Sequence, residues 1–184
     1  MQISNHASNW QSLNILLSDR LYRFVNSRHV PRIVAKSFHA AIQAELLLIL
    51  KQRFMGQGRV YPAWTLKLKN GDRDWFPVPD LTYISYQRLS AEWKLDDCCP
   101  VAPELIVEIV QQGQKLDHLV TRVEKYLQSG VLEVCLINSY AQTVTISTQD
   151  QLPQTFIGEM MIESQFLGSL NLIAKNIFER SGCV

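Results

Sequence analysis

The sequence predicts an α/β (α+β) domain: a mixed β-sheet with helices packed on its faces. Three observations carry this. A long helical apolar pattern covers residues 33–54. Short strand patterns with a hairpin signal follow between 60 and 85. Two strongly apolar strands, ELIVEIV and EVCLIN, flank a second helical pattern. Strands on both sides of a crossover helix belong in one sheet with helices on its faces. A chain of 184 residues suits one domain, or one domain with a short extension. With 47% hydrophobic and only 19% charged residues, it can build a core and is not a disordered chain.

In residues 1–30, Leu13, Leu16, Leu17, Leu21, Phe24 and Val25 recur at helical spacing, so a helical extension is expected there and a single domain over 31–184. From Ile33 onward, Ile33, Val34, Phe38, Ala41, Ile42, Leu46, Ile49 and Leu50 form a wide apolar stripe, stopped by Gly56 and Gly58. Residues 60–69 alternate as a strand, and Asn70-Gly71 is a strong hairpin signal. The return through Pro77 and Pro79 suits an edge or irregular stretch. A strand over 80–85, a polar loop over 86–103 and the strand 104–110 come next. A helix over 116–128, closed by Gly130, precedes strands at 133–138 and 143–147 and a C-terminal helix near 170–179. On the 116–128 helix, Leu116, Leu119, Val120, Val123 and Leu127 are the expected core stripe, flanked by a row of Lys115, Arg122 and Tyr126.

Composition excludes several classes. Eighteen basic against 17 acidic residues give a net charge of +1, which rules out a strongly basic nucleic-acid coat but not a local basic groove. The longest aliphatic run, Leu46 to Leu50, is too short to span a bilayer, and no leader pattern opens the sequence, so a cytoplasmic protein without membrane contact is expected. Cys98, Cys99, Cys135 and Cys183 show no zinc-type spacing and read as free thiols in a reducing compartment. No Gly-rich phosphate loop, GxSxG or HExxH pattern is present.

Two carboxylates stand out. Asp80 opens a strand in the setting Val78-Pro79-Asp80-Leu81. Glu108 sits in mid-strand, on the face opposite Leu105, Val107 and Ile109. A buried mid-strand carboxylate must be paired or bind a cation. If neighbouring strands bring Asp80 and Glu108 together, a divalent cation would relieve their repulsion, and oxygen donors of this kind select Mg²⁺ or Mn²⁺. Otherwise Glu108 lies on an exposed face or pairs with an Arg. Arg122 and Tyr126 are i, i+4 neighbours on the helix leaving this strand and can act together on a phosphate; alternatively Arg122 pairs on the surface with Glu124 or Asp97. Glu45 is an auxiliary candidate as a metal ligand or water positioner, and His39 is expected near it or as a packing residue.

The stretches VPDLTYIS, PELIVEIV and RVEKYLQSGVLEVCLIN together resemble the Uma-type (Uma-two) family of putative restriction endonucleases, within the PD-(D/E)xK nuclease superfamily. The resemblance runs from about residue 33 to the C-terminus and fits best over 79–138. It implies a restriction-endonuclease-like PD-(D/E)xK core, a site binding Mg²⁺ or Mn²⁺, and hydrolysis of DNA phosphodiesters. Asp80 would match the family's PD aspartate and Glu108 its metal-binding glutamate. The family's helical Lys, four residues before a Tyr, is Arg122 here, with Tyr126 following; the strand position of the wider superfamily's Lys is Val110. Its Ser three residues after the Glu is Gln111, its Ser-Pro-Ser turn is Gln111-Gln112-Gly113, and its Asp-Pro is Asn138-Ser139. Arg keeps the charge of Lys but does not release its proton.

Three functions are therefore carried forward. The first is a Mg²⁺-dependent DNA endonuclease with Asp80, Glu108 and Arg122 as catalytic residues, acting as a homodimer on palindromic sites. The second is a module on the same fold that binds DNA or a protein partner without cleavage. The third is an α/β dimerising protein with buried carboxylate–Arg pairs.

Overall fold

The computed structural model describes residues 22–25, 28–31, 36–111, 113, 114 and 116–183. The chain forms two compact units, Met1–Lys36 and Ser37–Val184. In the first, β1 (Tyr22–Val25) pairs antiparallel with β2 (Arg28–Pro31), Tyr22 opposite Pro31. The helix expected over Phe24 and Val25 is thus a hairpin. Tyr-Arg-Phe-Val mixes aromatic and β-branched residues, which favour extended backbone. The remaining residues of that helical pattern, Leu13 to Leu21, lie outside the described residues, as do Ile33 and Val34.

The second unit runs α1 (Ser37–Arg53), β3 (Gly58–Pro62), β4 (Leu68–Asn70), β5 (Arg73–Trp75), β6 (Leu81–Ser85), β7 (Leu105–Ile109), α2 (Leu116–Gln128), β8 (Glu133–Asn138), β9 (Thr143–Thr148), β10 (Gln154–Ile157), a 3₁₀ turn (Gly168–Leu170) and α3 (Ala174–Arg180). Six strands form one sheet in the order β10-β9-β8-β7-β6-β3. Its neighbours are antiparallel except β7 and β8, which run parallel and are joined by α2. A parallel pair needs such a crossover, and a helix supplies it. The mixed α/β architecture is the one the apolar patterns predict.

Strand alternation gives the sheet two cores. On one face, Leu105, Val107 and Ile109 of β7 pack with Ile42, Leu46 and Leu50 of α1 and with Ile177 and Phe178 of α3. On the other, Ile106 packs with Val134, Leu68 and Tyr126, the last from α2. All five β7 residues are buried, so this strand is the spine of the unit. Among the described residues, no helix is long and apolar enough to cross a membrane.

Three departures from the sequence reading have local causes. The strand expected over 60–69 is two pieces: Pro62 has no N–H to continue the ladder, and Ala63 turns out of it with a φ of 49°. The hairpin forms, but Asn70 pairs with Arg73, so Gly71 (φ 60°) and Asp72 make the turn. On α2, Val120 is 47% exposed and Tyr126 fully buried. The helix is rolled toward its polar flank, because that flank supplies the partners a buried glutamate on β7 requires.

Gly58 is demanded by close approach. A Cβ there would stand 2.3 Å from the Ile84 carbonyl oxygen and 2.7 Å from the Tyr83 ring, which is stacked on Phe54 at 3.6 Å between centroids. The strand backbone cannot yield, so Gly58→Ala is expected to cost about 1–3 kcal/mol, read as a lower urea midpoint at unchanged slope. A midpoint equal to wild type would show that β3 and β6 sit further apart than described.

Candidate active site

The ladder between β6 and β7 ends with Leu81 opposite Val107. Asp80 is the next residue along that register, level with Glu108. Its Oδ2 accepts the Ile109 N–H at 2.7 Å, taking over a position where the backbone ladder has stopped. Its carbonyl oxygen accepts from the Gln43 side-chain amide at 2.8 Å and from the Ala63 N–H at 3.2 Å. Asp80 is therefore fixed by α1, by the loop after β3 and by β7 together. Its Oδ1 lies 3.0 Å from His39 Nε2. That is a close contact without the alignment of a hydrogen bond, since neither ring nitrogen of the buried His39 makes a hydrogen bond.

Glu108 turns to the α2 side. Its Oε1 accepts the Tyr126 hydroxyl at 2.7 Å and faces Arg122 Nη2 at 2.9 Å. Arg122 Nε donates to the Tyr126 oxygen at 3.1 Å, and Nη2 donates to the Val78 carbonyl, also at 3.1 Å. Trp75 packs on Tyr126 with ring centroids 4.9 Å apart. The i, i+4 spacing of Arg122 and Tyr126 delivers a guanidinium and a phenol to one carboxylate oxygen.

The electrostatics follow from burial. Desolvation raises the Glu108 pKa from the usual 4.5 to about 7; the Asp80 charge adds to the rise, while Arg122, Tyr126 and His39 oppose it without cancelling it. Burial and the adjoining Glu108 push Tyr126 far above the ordinary phenol range. Burial works against the Arg122 charge, yet Glu108, Tyr126 and Asp80 together more than offset this and hold its pKa above the usual value.

This has a stability consequence with a definite sign. Glu108 binds its proton more tightly folded than unfolded, so its contribution is fully present below pH 4.5 and is lost as pH rises to about 7. The expected loss is about 2–3 kcal/mol. Wild type should therefore lose more stability than Glu108→Gln between about pH 5 and about pH 8 in thermal melts. Parallel pH curves for the two chains would contradict the raised pKa.

Of the residues singled out in the sequence, Asp80, Glu108, Arg122 and Tyr126 meet at the end of β7. Arg122 pairs with neither Glu124 nor Asp97, but with Glu108. Glu45 stands apart: its Oε1 is paired with Arg180 Nε of α3 at 2.7 Å. Gln111 lies two residues beyond β7, where its backbone N–H donates to Gln114 Oε1 at 2.9 Å. His39 meets Asp80, not Glu45. Sequence reasoning missed His39 and Gln43 as partners of Asp80. The available signal was a His and a Gln one turn apart at the start of an otherwise apolar helix.

The donor set suits a hard divalent cation. Both contacts of Glu108 fall on Oε1, leaving Oε2 for an ion, and Asp80 offers Oδ1. Among the described residues, no group of three or more His, Cys, Asp and Glu side chains forms a ready-made cage. Mg²⁺ does not require one: it is commonly held by one or two carboxylates, with water and phosphate oxygens completing its shell.

Residues 12–174 match the model of the Uma2 family, described as "Putative restriction endonuclease". Among solved structures, the chain is similar to a putative nuclease belonging to DUF820 from Anabaena variabilis, with a TM-score of 0.73 and 20% identity, covering 86% of this chain and 89% of that one. At that identity the likeness speaks for the fold. No curated protein matches the chain. With a family match over most of its length and a six-stranded mixed sheet flanked by helices, the chain belongs to the Uma2 family and has the restriction-endonuclease-like fold.

Proposed function

We propose that this protein is a DNA endonuclease that hydrolyses phosphodiesters with Mg²⁺ or Mn²⁺. One observation carries the reading: Asp80 Oδ2 is bonded to the N–H of Ile109, the residue after Glu108, so two acids 28 positions apart in sequence share one strand end. Asp80 and Glu108 would hold the ion, which supplies an activated water and neutralises phosphate charge. Arg122 directs a permanent positive charge at the same place and stabilises charge on a phosphate, but it moves no proton. Tyr126 positions Arg122 and Glu108 through its two hydrogen bonds. Gln111 lines the turn beyond the strand. Glu45 acts only if it leaves Arg180.

The same reading includes a homodimer, which suits palindromic DNA, and a reducing cytoplasmic setting, with which the four free cysteines agree. The similar Anabaena variabilis protein, a putative nuclease, supports the nuclease part of this reading. Purified protein should nick plasmid DNA with Mn²⁺ and stop when a chelator is added. Ion binding without cleavage would overturn the enzymatic reading.

A second reading is favoured by a specific contact. Glu108 Oε1 is already neutralised by Arg122, a group that cannot shuttle protons, and Val110 stands where the wider superfamily carries a Lys. This describes a nuclease-fold module that binds DNA or a protein partner without cutting. DNA binding unaffected by Glu108→Gln, with no cleavage by wild type, would decide for it.

A further inference from the structure

We propose that His39 donates a ring nitrogen to the ion held by Asp80, and that the site therefore prefers imidazole-accepting divalent ions such as Mn²⁺ and Co²⁺ over Mg²⁺. This rests on the reading of Asp80 as an ion ligand and goes beyond it by adding a donor and a metal preference.

His39 lies in the first turn of α1 and is only 6% exposed. Both of its ring nitrogens are buried without a hydrogen bond. A buried polar atom left unpaired costs about 1–3 kcal/mol, so folds rarely keep one without a use. On α1 His39 continues the buried stripe of Ile42, Leu46 and Leu50, a position an apolar side chain would fill without leaving a ring nitrogen unpaired. The ring is nevertheless held beside a carboxylate, Nε2 to Asp80 Oδ1 at 3.0 Å.

That separation has a second meaning. Two donors bound at right angles to one ion at about 2.1 Å stand about 3 Å apart. His39 Nε2 and Asp80 Oδ1 have this spacing and lack the alignment of a hydrogen bond between themselves, as expected of two donors that converge on a third point. They are also stiff. Oδ2 is anchored by the Ile109 N–H, and the Asp80 main chain is anchored by Gln43 and Ala63. The imidazole is fixed by burial. Little reorganisation remains when an ion arrives. Glu108 Oε1, by contrast, is drawn toward Arg122 and Tyr126, so His39 and Asp80 are the donor pair already at sharing distance.

The metal preference follows from donor chemistry. Mg²⁺ takes oxygen ligands, whereas affinity for a mixed nitrogen and oxygen site rises from Mn²⁺ to Co²⁺ and beyond. Calorimetry of the full chain with Mg²⁺, Mn²⁺ and Co²⁺ tests this in wild type, His39→Gln and Asp80→Asn. Wild type should bind Co²⁺ at least about tenfold more tightly than Mg²⁺, and His39→Gln should lose that preference while its Mg²⁺ affinity stays within about twofold. In pulsed EPR, Mn²⁺ on the wild-type chain should show a ¹⁴N coupling that His39→Gln lacks. Absence of nitrogen coupling in wild type overturns the proposal whether or not the variants fold. So does a Co²⁺ preference unchanged in His39→Gln. If both outcomes occur while Asp80→Asn still weakens every ion, only the role of His39 fails. If wild type binds no ion, the reading of Asp80 fails, and this inference with it.

Discussion

Replacing Asp80 with Ala is expected to lower metal-dependent DNA cleavage by about a thousandfold or more, because a catalytic ion supplies several kcal/mol and each 1.36 kcal/mol is tenfold in rate. Asp80→Ala also strips the Ile109 N–H of its acceptor, so part of the loss comes from a disturbed strand end. Asp80→Asn separates the two effects. It keeps an oxygen for the Ile109 N–H and removes only the charge. Both variants should fall by a similar factor in plasmid-nicking rate at saturating Mn²⁺. Cleavage by Asp80→Asn within about tenfold of wild type would show that the carboxylate does not hold the ion.

The second large effect is on stability. Arg122→Ala leaves Glu108 buried, with its charge answered only by the Tyr126 hydroxyl and the neighbouring His39. Breaking a buried pair from one side costs about 3–5 kcal/mol. For a chain of this size that lowers the melting temperature by about 10 °C. The loss should shrink below the pH at which Glu108 takes up a proton, since the neutral acid no longer needs a cation. It should also be largely recovered in the double variant Arg122→Met with Glu108→Gln. Differential scanning calorimetry at about pH 9, well above the pH of about 7 at which Glu108 ionises, checks this. A loss below about 1 kcal/mol would place the pair among exposed, weakly coupled ones.

How much of this was legible in the sequence depends on the residue. The β7–α2–β8 unit was readable because its signals are local: apolar strands, a 3.6-residue period and a glycine stop. The Asp80, Glu108, Arg122 and Tyr126 cluster was readable as candidates, because a mid-strand acid in ELIVEIV demands a partner. Pairing with an Arg is one of three alternatives for Glu108, beside a cation and an exposed face, and spacing does not single out Arg122 because it does not reveal how a helix is rolled. Val120 shows the difficulty: by periodicity it belongs in the core, yet it is 47% exposed because Tyr126 takes the buried side. Glu45 shows the reverse, a candidate ligand drawn away by Arg180, which is 135 residues distant in the chain. For His39 the sequence leaves open a place near Glu45 or a packing role, and its contact with Asp80 is hidden because it depends on how α1 crosses the sheet. β10, with Gln154, Thr155 and Ile157 exposed and only Phe156 buried, has too little pattern to be found before β9 is there to pair with it.

Asp80 and Glu108 are proposed to share one divalent cation. Anomalous difference density from a crystal of this protein soaked in Mn²⁺ tests it most directly. A peak within about 2–2.6 Å of an oxygen from each carboxylate is the predicted result. A Mn²⁺-loaded crystal with no peak at that strand end, and Arg122 still closed on Glu108, would contradict it.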